Sequence, residues 1–202
     1  MLKTVYFDMG NVLVFFNPAK MFAQLAQCTG LSGQEVQKLI YTGDLTENYE
    51  TGKVTTEQVY HVFLQRSPRS FTLQQFKTAA SDIFTPNTAL WPLVEELKRQ
   101  GIRLILLSNT SECHFDYINT HYPILRHFDH KVLSFEVGAW KPNPEIFQHA
   151  LAHAQCAPEE CFYTDDIPDF IEGARRAGLP GEVFTTVDQL KKHLAQRGCS
   201  YW

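Results

Sequence analysis

Short β-rich runs alternate with helical patterns along most of the chain, and this alternation limits the folds open to it. Four runs have the composition of buried strands, at residues 2–7, 103–107, 131–135 and 161–164. Val183 and Phe184 are candidates for a fifth strand. Strands that alternate with helices predict right-handed crossovers and a parallel sheet with helices on both faces. The sequence therefore predicts a doubly wound α/β core, in which ligands bind beyond the carboxyl ends of the strands.

One long stretch breaks this alternation. Roughly seventy residues separate the first strand from the helix predicted at 90–100, and a stretch of that length is too long for a loop in a compact domain. Its pattern is helical, and three capping boxes begin at Ser32, Thr55 and Thr72. We predict that residues 16–86 form a small all-helical cap over the end of the sheet. Residues 1–15 and 87–202 then form the core.

Charge and hydropathy argue against two classes of partner. Eighteen Lys and Arg residues face 22 Asp and Glu residues, for a net charge of −4. No uniform positive field is present to hold a polyanion, so we expect no nucleic-acid partner. No apolar run approaches the ~20 residues that cross a bilayer, and the first residues do not have the pattern of a signal peptide. We expect a cytoplasmic protein without a membrane partner, and the sequence leaves its oligomeric state open.

The five cysteines include no C-x-x-C pair, which fits reduced, separately placed thiols. The last residues, 197–202, are expected to fray.

Asp8 directly follows the first predicted strand, and Gly10 stands two residues later. A carboxylate just beyond a buried strand is held rigidly, and a glycine allows the backbone to approach a ligand closely. Asp8 is therefore a candidate nucleophile. The alternative is that Asp8 only turns or caps the chain.

Ser108, Asn109 and Thr110 follow the second predicted strand. Small hydroxyl and amide side chains, together with backbone N–H groups at the start of a helix, suit a bound phosphate. An ordinary helix cap is the alternative for these three residues.

Lys141 stands between Trp140 and Pro142, downstream of the third predicted strand. A lysine held by rigid neighbours is suited to present its charge to a phosphoryl group. A solvated surface lysine is the alternative.

Asp165 and Asp166 follow the fourth predicted strand, and Asp169 comes soon after. Adjacent acids repel one another unless a cation compensates them, and oxygen ligands of this kind suit Mg²⁺. Helix capping by Asp166 with a solvated Asp169 is the alternative.

Taken together, these four strand ends resemble those of the haloacid dehalogenase superfamily, whose phosphatases use an aspartate nucleophile. VYFDMGNVL, LLSNT, GAWKPNPEIF and FYTDDIPDFIEGARRAGL are similar to its four motifs, in order, over nearly the whole chain. The form Asp-x-Gly-Asn-Val and the segment YETGKVTTEQ most resemble bacterial sugar-phosphate phosphatases of the α-D-glucose-1-phosphatase type.

The resemblance implies a role for each matching residue. Asp8 would attack phosphorus and form an aspartyl-phosphate. Ser108 and Asn109 would hold phosphate oxygens, and Lys141 would neutralise both the phosphoryl group and the Asp8 carboxylate.

The resemblance also implies a Mg²⁺ site. The ion would be bound by Asp8, by the backbone carbonyl of Gly10 and by Asp166. Asp165 would be either a further ligand or a support for the ligands.

One departure from the superfamily pattern concerns the proton donor. Most of its phosphatases carry a second Asp two residues after the nucleophile, where this chain has Gly10. General acid–base catalysis typically contributes 10²–10⁴-fold, so its loss would slow turnover unless the cap supplies a substitute. Glu50 and His61 are candidates for that substitute, with a solvated acid and a helix-face histidine as the alternatives.

These observations predict a Mg²⁺-dependent phosphomonoesterase that acts on a small, sugar-type phosphate. Tyr41, Tyr49 and Phe63 of the cap are candidates to line its pocket, although aromatic residues of a small bundle are more often its core. Two other functions remain open. One is a metal-independent 2-haloacid dehalogenase, and the other is a phosphate-binding or regulatory protein weakened by Gly10.

Overall fold

The computed structural model describes residues 1–199. Half of the tail predicted to fray, residues 200–202, lies outside the described residues. Cys199, at the near side of that tail, is buried against the core.

Seven strands are present in the described chain. In chain order they are β1 (Thr4–Phe7), β2 (Val14–Phe16), β3 (Phe84–Pro86), β4 (Arg103–Ser108), β5 (His130–Leu133), β6 (Cys161–Asp165) and β7 (Gly181–Val183). Five of them form one parallel sheet in the order β5-β4-β1-β6-β7. β2 and β3 pair separately and antiparallel.

The helices fall into two groups along the sequence. Between β2 and β3 lie α1 (Pro18–Thr29), α2 (Gly33–Tyr41), α3 (Leu45–Glu50), α4 (Thr56–Leu64) and α5 (Leu73–Ser81). After β3 come α6 (Trp91–Arg99), α7 (Glu112–His121), α8 (Ser134–Val137), α9 (Pro144–Ala152), α10 (Pro168–Arg176) and α11 (Val187–Ala195).

Residues along β1 alternate between the two faces of the main sheet, as the two-residue period of a strand requires. Val5 and Phe7 belong to one buried cluster, which α6, α7 and α11 complete. Tyr6 belongs to the other cluster, together with residues of α9 and α10. Helices therefore cover both faces, and the predicted doubly wound α/β core is confirmed.

Helices α1 to α5, which we call the cap, share a hydrophobic cluster of their own around Leu25, Val36 and Phe63. All three capping boxes predicted from the sequence begin helices here, with Ser32 before α2, Thr55 before α4 and Thr72 before α5. The residue bounds 16–86 that we predict for the cap stay a prediction.

The structure corrects two details of the strand prediction. The third strand ends at Leu133, and Ser134 begins α8 instead of continuing the strand. The Ser134 hydroxyl is committed to the backbone of Thr110, since it accepts from the N–H at 2.9 Å and donates to the carbonyl at 3.0 Å. The predicted fifth strand corresponds to β7, which includes Val183 but ends before Phe184.

The short antiparallel pair β2–β3 was not predicted from the sequence. Each strand has only three residues, and neither shows a two-residue alternation of buried and exposed positions. The pair joins the two ends of the chain segment that forms the cap.

Among residues 1–199, no helix combines the length and the apolar character needed to cross a bilayer.

Candidate active site

Three loops leave the same edge of the main sheet side by side. β1 lies between β4 and β6, so Asp8, Ser108 and Asp165 at the carboxyl ends of these strands lie on neighbouring loops or strand ends. The backbone N–H of Asp8 donates to the carbonyl of Thr164 at 3.0 Å. This bond extends the pairing of β1 with β6 by one residue and fixes the position of Asp8.

Lys141 connects two of these strand ends. Its Nζ donates to Oδ1 of Asp8 at 2.7 Å and to Oδ2 of Asp165 at 2.6 Å. The hydroxyl of Tyr163 lies 3.0 Å from the same Nζ, and the carbonyl of Leu107 lies 3.2 Å from it. Lys141 is only 2% exposed, so it is not the solvated surface lysine of the alternative interpretation.

Asn109 holds the loop that carries Lys141. Its Oδ1 accepts a hydrogen bond from the backbone N–H of Lys141 at 2.7 Å, and its Nδ2 donates to the Lys141 carbonyl at 3.0 Å. Both ends of the side-chain amide are therefore engaged within the protein, where the sequence predicted a contact with phosphate. Ser108 is buried and lies on the wall of the cavity described below.

The charges of this cluster shift the pKa values of its members. Burial raises the pKa of Asp8 to about 7, and the charge of Lys141 opposes that rise. Burial by itself would lower the pKa of Lys141, but the attraction of Asp8 and Asp165 outweighs it and raises the pKa above its usual value. The ammonium group of Lys141 therefore stays charged between two carboxyl groups.

Asp8, Asp165 and Asp166 form a group of acids in the described chain that could hold a metal ion. One carboxylate oxygen of each residue lies within 4.8 Å of the others. Among residues 1–199, Lys141 is the cation that hydrogen-bonds to these acids, at Asp8 and Asp165. Three carboxylates exceed the charge of one lysine, so a second cation would be compensated here. Carboxylate and carbonyl oxygens are the donors that Mg²⁺ prefers, so the residues present fit this ion.

The two adjacent acids differ in how many of their oxygens are free. Oδ2 of Asp165 accepts from Lys141 and from the Tyr163 hydroxyl, and its Oδ1 accepts from the backbone N–H of Ile167 at 2.9 Å. Asp166 is half-buried and accepts a single side-chain hydrogen bond, from Nδ2 of Asn11 at 3.0 Å. Asp166 thus has an oxygen available for a metal, while both oxygens of Asp165 are occupied.

Asp169, in contrast, is exposed in the first turn of α10, as its alternative interpretation expected.

Gly10 lies under the ring of Phe16. A methyl group on its Cα would stand 3.4 Å from Cε1 of Phe16 and 3.9 Å from Oδ2 of Asp8. A side chain at this position, where the superfamily has its second Asp, would contact the ring of Phe16. Within residues 1–199, the carbonyl of Gly10 accepts no backbone hydrogen bond, so it is available as a ligand.

Glu50 ends α3 and lines the same cavity as Gly10, Ser108 and Asn109. Burial raises the pKa of its carboxyl group to about 7, with a smaller opposing effect from the charge of Lys141. Glu50 has no side-chain hydrogen bond or ion pair with the residues that the structure describes. It is therefore a half-buried acid that opens into the site, and not the solvated acid of the alternative.

His61, the other candidate for the proton donor, lies on α4 away from the cavity. Its side chain is 55% exposed on α4, and it does not line the cavity. The three aromatic candidates of the cap, Tyr41, Tyr49 and Phe63, do line it. Phe63 is at the same time part of the buried cluster of the cap.

Two residues of the site were missed by the sequence analysis. Tyr163 donates its hydroxyl to Asp165, and Asn11 holds Asp166. Tyr163 stands two residues before Asp165 on β6, so the strand period places both side chains on one face. That period was a usable signal for Tyr163, whereas the contact of Asn11 depends on how the loop after β1 folds.

The chain is similar to known hydrolases over most of its length. Residues 2–178 match the family model described as haloacid dehalogenase-like hydrolase. The chain is 25% identical to a sesquiterpene phosphatase from Aspergillus oryzae over 89% of this chain and 88% of that protein. It is 26% identical to a D-ribitol-5-phosphate phosphatase from Bacteroides thetaiotaomicron over 82% and 84%.

A solved structure is similar in fold. A haloacid dehalogenase-family enzyme from Bacteroides thetaiotaomicron, in complex with magnesium and inorganic phosphate, superposes with a TM-score of 0.82 at 21% identity. The superposition covers 92% of this chain and 95% of that one.

Proposed function

The chain belongs to the haloacid dehalogenase-like hydrolases, and on this premise we propose that it is a Mg²⁺-dependent phosphomonoesterase that works through a phosphorylated Asp8. The observation that carries the proposal is the contact of Lys141 with both Asp8 and Asp165, beside an Asp166 that has a free oxygen. Relatives of this chain are named as phosphatases of small phosphate esters. The glucose-1-phosphatase subgroup stays a prediction.

Asp8 is the nucleophile of the proposed reaction. One of its carboxylate oxygens attacks phosphorus, and the bond from phosphorus to the ester oxygen breaks. Two unit charges 4 Å apart interact by about 4 kcal/mol at an effective dielectric constant of 20, so an anionic nucleophile needs cations beside an anionic ester. Lys141 supplies one of these charges, and Ser108 on the cavity wall is placed to hold a phosphate oxygen.

Mg²⁺ would be bound by Asp8, by the carbonyl of Gly10 and by Asp166. When bound, the ion would offset the negative charge of the phosphoryl oxygens. Asp165 supports this arrangement without binding the ion, because its two oxygens already hold Lys141, Tyr163 and the N–H of Ile167.

Glu50 takes the part of the absent second Asp. In the first step its protonated carboxyl group donates to the leaving oxygen, which departs as an alcohol. In the second step its carboxylate accepts a proton from the water that attacks the aspartyl-phosphate, and Asp8 is released with inorganic phosphate. A pKa of about 7 suits a group that must both give and take a proton near neutrality.

The site argues against the two alternatives that the sequence left open. A dehalogenase without metal would gain nothing from three crowded acids, where burial and then the charge of Asp165 raise the pKa values of Asp8 and Asp166. A protein that had lost turnover would have no use for a half-buried Glu50 that lines the cavity.

Two further proposals concern the location of the protein with its partners, and the residues of the cap. We propose a cytoplasmic protein whose partners are small phosphate esters, not nucleic acid or membranes. We also propose that residues 16–86 close over the site as a specificity cap.

A phosphate-release assay on p-nitrophenyl phosphate tests the proposal. We expect hydrolysis with Mg²⁺, its loss with EDTA, and its loss in Asp8→Asn. The intact mass of the wild type should show a transient gain of one phosphoryl group that Asp8→Asn lacks. Chloride release from 2-haloacids in EDTA, or phosphate release by Asp8→Asn equal to that of the wild type, would contradict it.

A further inference from the structure

One cavity of about 260 Å³ is lined by residues that follow β1 and β4, close to Asp8, and by residues of the cap. Its inner end carries Gly10, Ser108, Asn109 and Glu50. The remainder of its wall is largely apolar. That part includes Met21, Leu25, Ile40, Leu45, Phe76 and Ile83. The cavity therefore has a polar end at the reacting centre and an apolar body.

Formal charge is confined to the polar end. Among the described residues that line the cavity, Glu50 alone is an acid, and no Lys or Arg is present. His114 also lines it, but burial lowers the pKa of its ring to about 4, so the ring is neutral.

Most polar side chains in the part of the wall away from the polar end already have partners. The hydroxyl of Thr46 donates to the carbonyl of Ile40 at 2.6 Å, and the hydroxyl of Tyr49 pairs with that of Thr56 at 2.9 Å. The ring of His114 bonds to a backbone carbonyl of α5 at 3.2 Å. Among the described residues of this part of the wall, the hydroxyl of Ser111 is buried without a partner, and the exposed Tyr41 makes no side-chain hydrogen bond.

A polyol held here would lose its bonds to water and regain few from the protein. Buried hydroxyl groups without partners bind unfavourably. Ser111 and Tyr41 offer two hydroxyl groups, which are too few for the several hydroxyl groups of a sugar.

The rim of the cavity is also apolar. Phe16 and Tyr41 line it, and they are 43% and 65% exposed, among the most exposed large hydrophobic residues of the described chain. Large apolar side chains left in water next to a cavity typically mark a ligand-binding surface.

We infer that the alcohol released by this site is hydrophobic, a chain or ring system of roughly ten carbon atoms, since about 150 Å³ holds a benzene molecule. This inference rests on the proposed function and sharpens its substrate class. The apolar wall favours such an ester over the sugar-type phosphate that the sequence predicted. The phosphate group lies at Asp8 and Lys141, and the hydrocarbon fills the space between the sheet edge and the cap.

A series of n-alkyl monophosphates from ethyl to decyl, each below its micelle concentration, tests the inference against glucose 1-phosphate and ribitol 5-phosphate. We expect kcat/KM to rise about fourfold for each added methylene until the cavity is filled, as the burial of a CH₂ group implies. Octyl phosphate should exceed both sugar phosphates by at least about 100-fold, the product of several such steps.

Two neighbouring residues of α2 provide a matched pair of variants. Ile40 lines the catalytic cavity, while Leu39 lines a separate surface depression, and both are half-buried. We expect Ile40→Ala to flatten the dependence on chain length and to lower kcat/KM for octyl phosphate about tenfold, with little effect on ethyl phosphate. Leu39→Ala should leave the slope unchanged.

The outcomes separate this inference from the proposed function. Hydrolysis with no preference for longer chains, or a preference for the sugar phosphates, would overturn the inference and leave the phosphatase intact. An equal effect of the two alanine variants would also overturn it. Absence of Mg²⁺-dependent hydrolysis of every ester, p-nitrophenyl phosphate included, would overturn the proposed function itself.

Discussion

Nζ of Lys141 lies 2.7 Å from Oδ1 of Asp8, and their side chains are 1% and 10% exposed. The nucleophile proposed for this site is therefore paired with its counter-charge before any substrate arrives. Because the charge pair is fixed by the fold, little reorganisation is needed when an anionic ester enters. Several consequences can be measured.

Lys141→Met should remove activity and stability together. It leaves Asp8 and Asp165 without their shared cation, and the loss of one partner of a buried ion pair costs about 3–5 kcal/mol. We expect phosphate release to fall at least about 100-fold and urea unfolding to report the lost free energy. Lys20→Met is the control, since Lys20 and Asp82 form an exposed pair at 3.3 Å that should contribute less than about 1 kcal/mol. Equal unfolding free energies for the two variants would contradict the central position of Lys141.

Asp165 and Asp166 should give different phenotypes when each is changed to Asn. Asp166→Asn should raise the Mg²⁺ concentration for half-maximal activity at least about tenfold and change stability little. Asp165→Asn disturbs the bonds to Lys141 and Tyr163, so it should lower the free energy of unfolding by about 3 kcal/mol. Mg²⁺ titrations and thermal unfolding distinguish the two. The reverse pattern would make Asp165 the metal ligand.

Glu50→Gln should affect esters according to their leaving group. Alkyl phosphates need a proton on the departing oxygen, so their kcat/KM should fall about 10²–10⁴-fold, whereas p-nitrophenyl phosphate should change by less than about tenfold. In the wild type, kcat/KM for alkyl phosphates should decline above a pH of about 7, where Glu50 loses its proton. The variant should lack this decline.

Glu47→Gln is the matched control for that experiment. Glu47 lies on the same helix α3, but it is exposed and 3.9 Å from Lys53. A loss equal for both kinds of ester in Glu50→Gln, or a similar loss in Glu47→Gln, would assign Glu50 a structural role.

The same carboxyl group should also affect stability. Burial raises the pKa of Glu50 from 4.5 to about 7 in the folded state. Below pH 4.5 both states hold the proton and no difference arises. As the pH rises toward 7 the unfolded state releases its proton first, so stability is lost over this window. Glu50→Gln should therefore be more stable than the wild type at pH 8, by about 1–3 kcal/mol, and equal to it near pH 4.

Most of the site could be predicted because it depends on local sequence and on sheet topology. Asp8, Ser108 and Asp165 stand at strand ends, and parallel strands bring those ends together whatever the details of packing. The capping boxes at Ser32, Thr55 and Thr72 act within four residues, so they too could be recognised without the fold.

The rest depends on tertiary contacts that no local pattern specifies. The side chain of Asn109 looks like a phosphate ligand in the sequence, yet it binds the backbone of Lys141, 32 residues away. Glu50 resembles any surface acid until the helix angles of the cap place it in the cavity. The wall of that cavity is assembled from helices α1 to α5, from α7 and from the β2–β3 pair, so its chemistry follows only from the assembled structure.

The cap touches the core at one point where no side chain fits. Gly52, just after α3, has a φ of +69°, and a Cβ there would lie 2.1 Å from the carbonyl oxygen of Phe135 in α8. Gly43, just before α3, has a φ of +75° with nothing within 4 Å. Changing either residue to Ala adds the strain of the left-handed conformation, about 1–2 kcal/mol. Only Gly52→Ala also pushes α3 away from the core.

Gly52→Ala should therefore displace Glu50, which lies two residues earlier. We expect its kcat/KM for alkyl phosphates to fall at least about tenfold, while Gly43→Ala loses stability but retains activity. Hydrogen exchange across residues 45–52 should rise in Gly52→Ala beyond the level of Gly43→Ala. If the two variants matched in both activity and exchange, the close approach of Gly52 to Phe135 would have no part in holding the cap over the site.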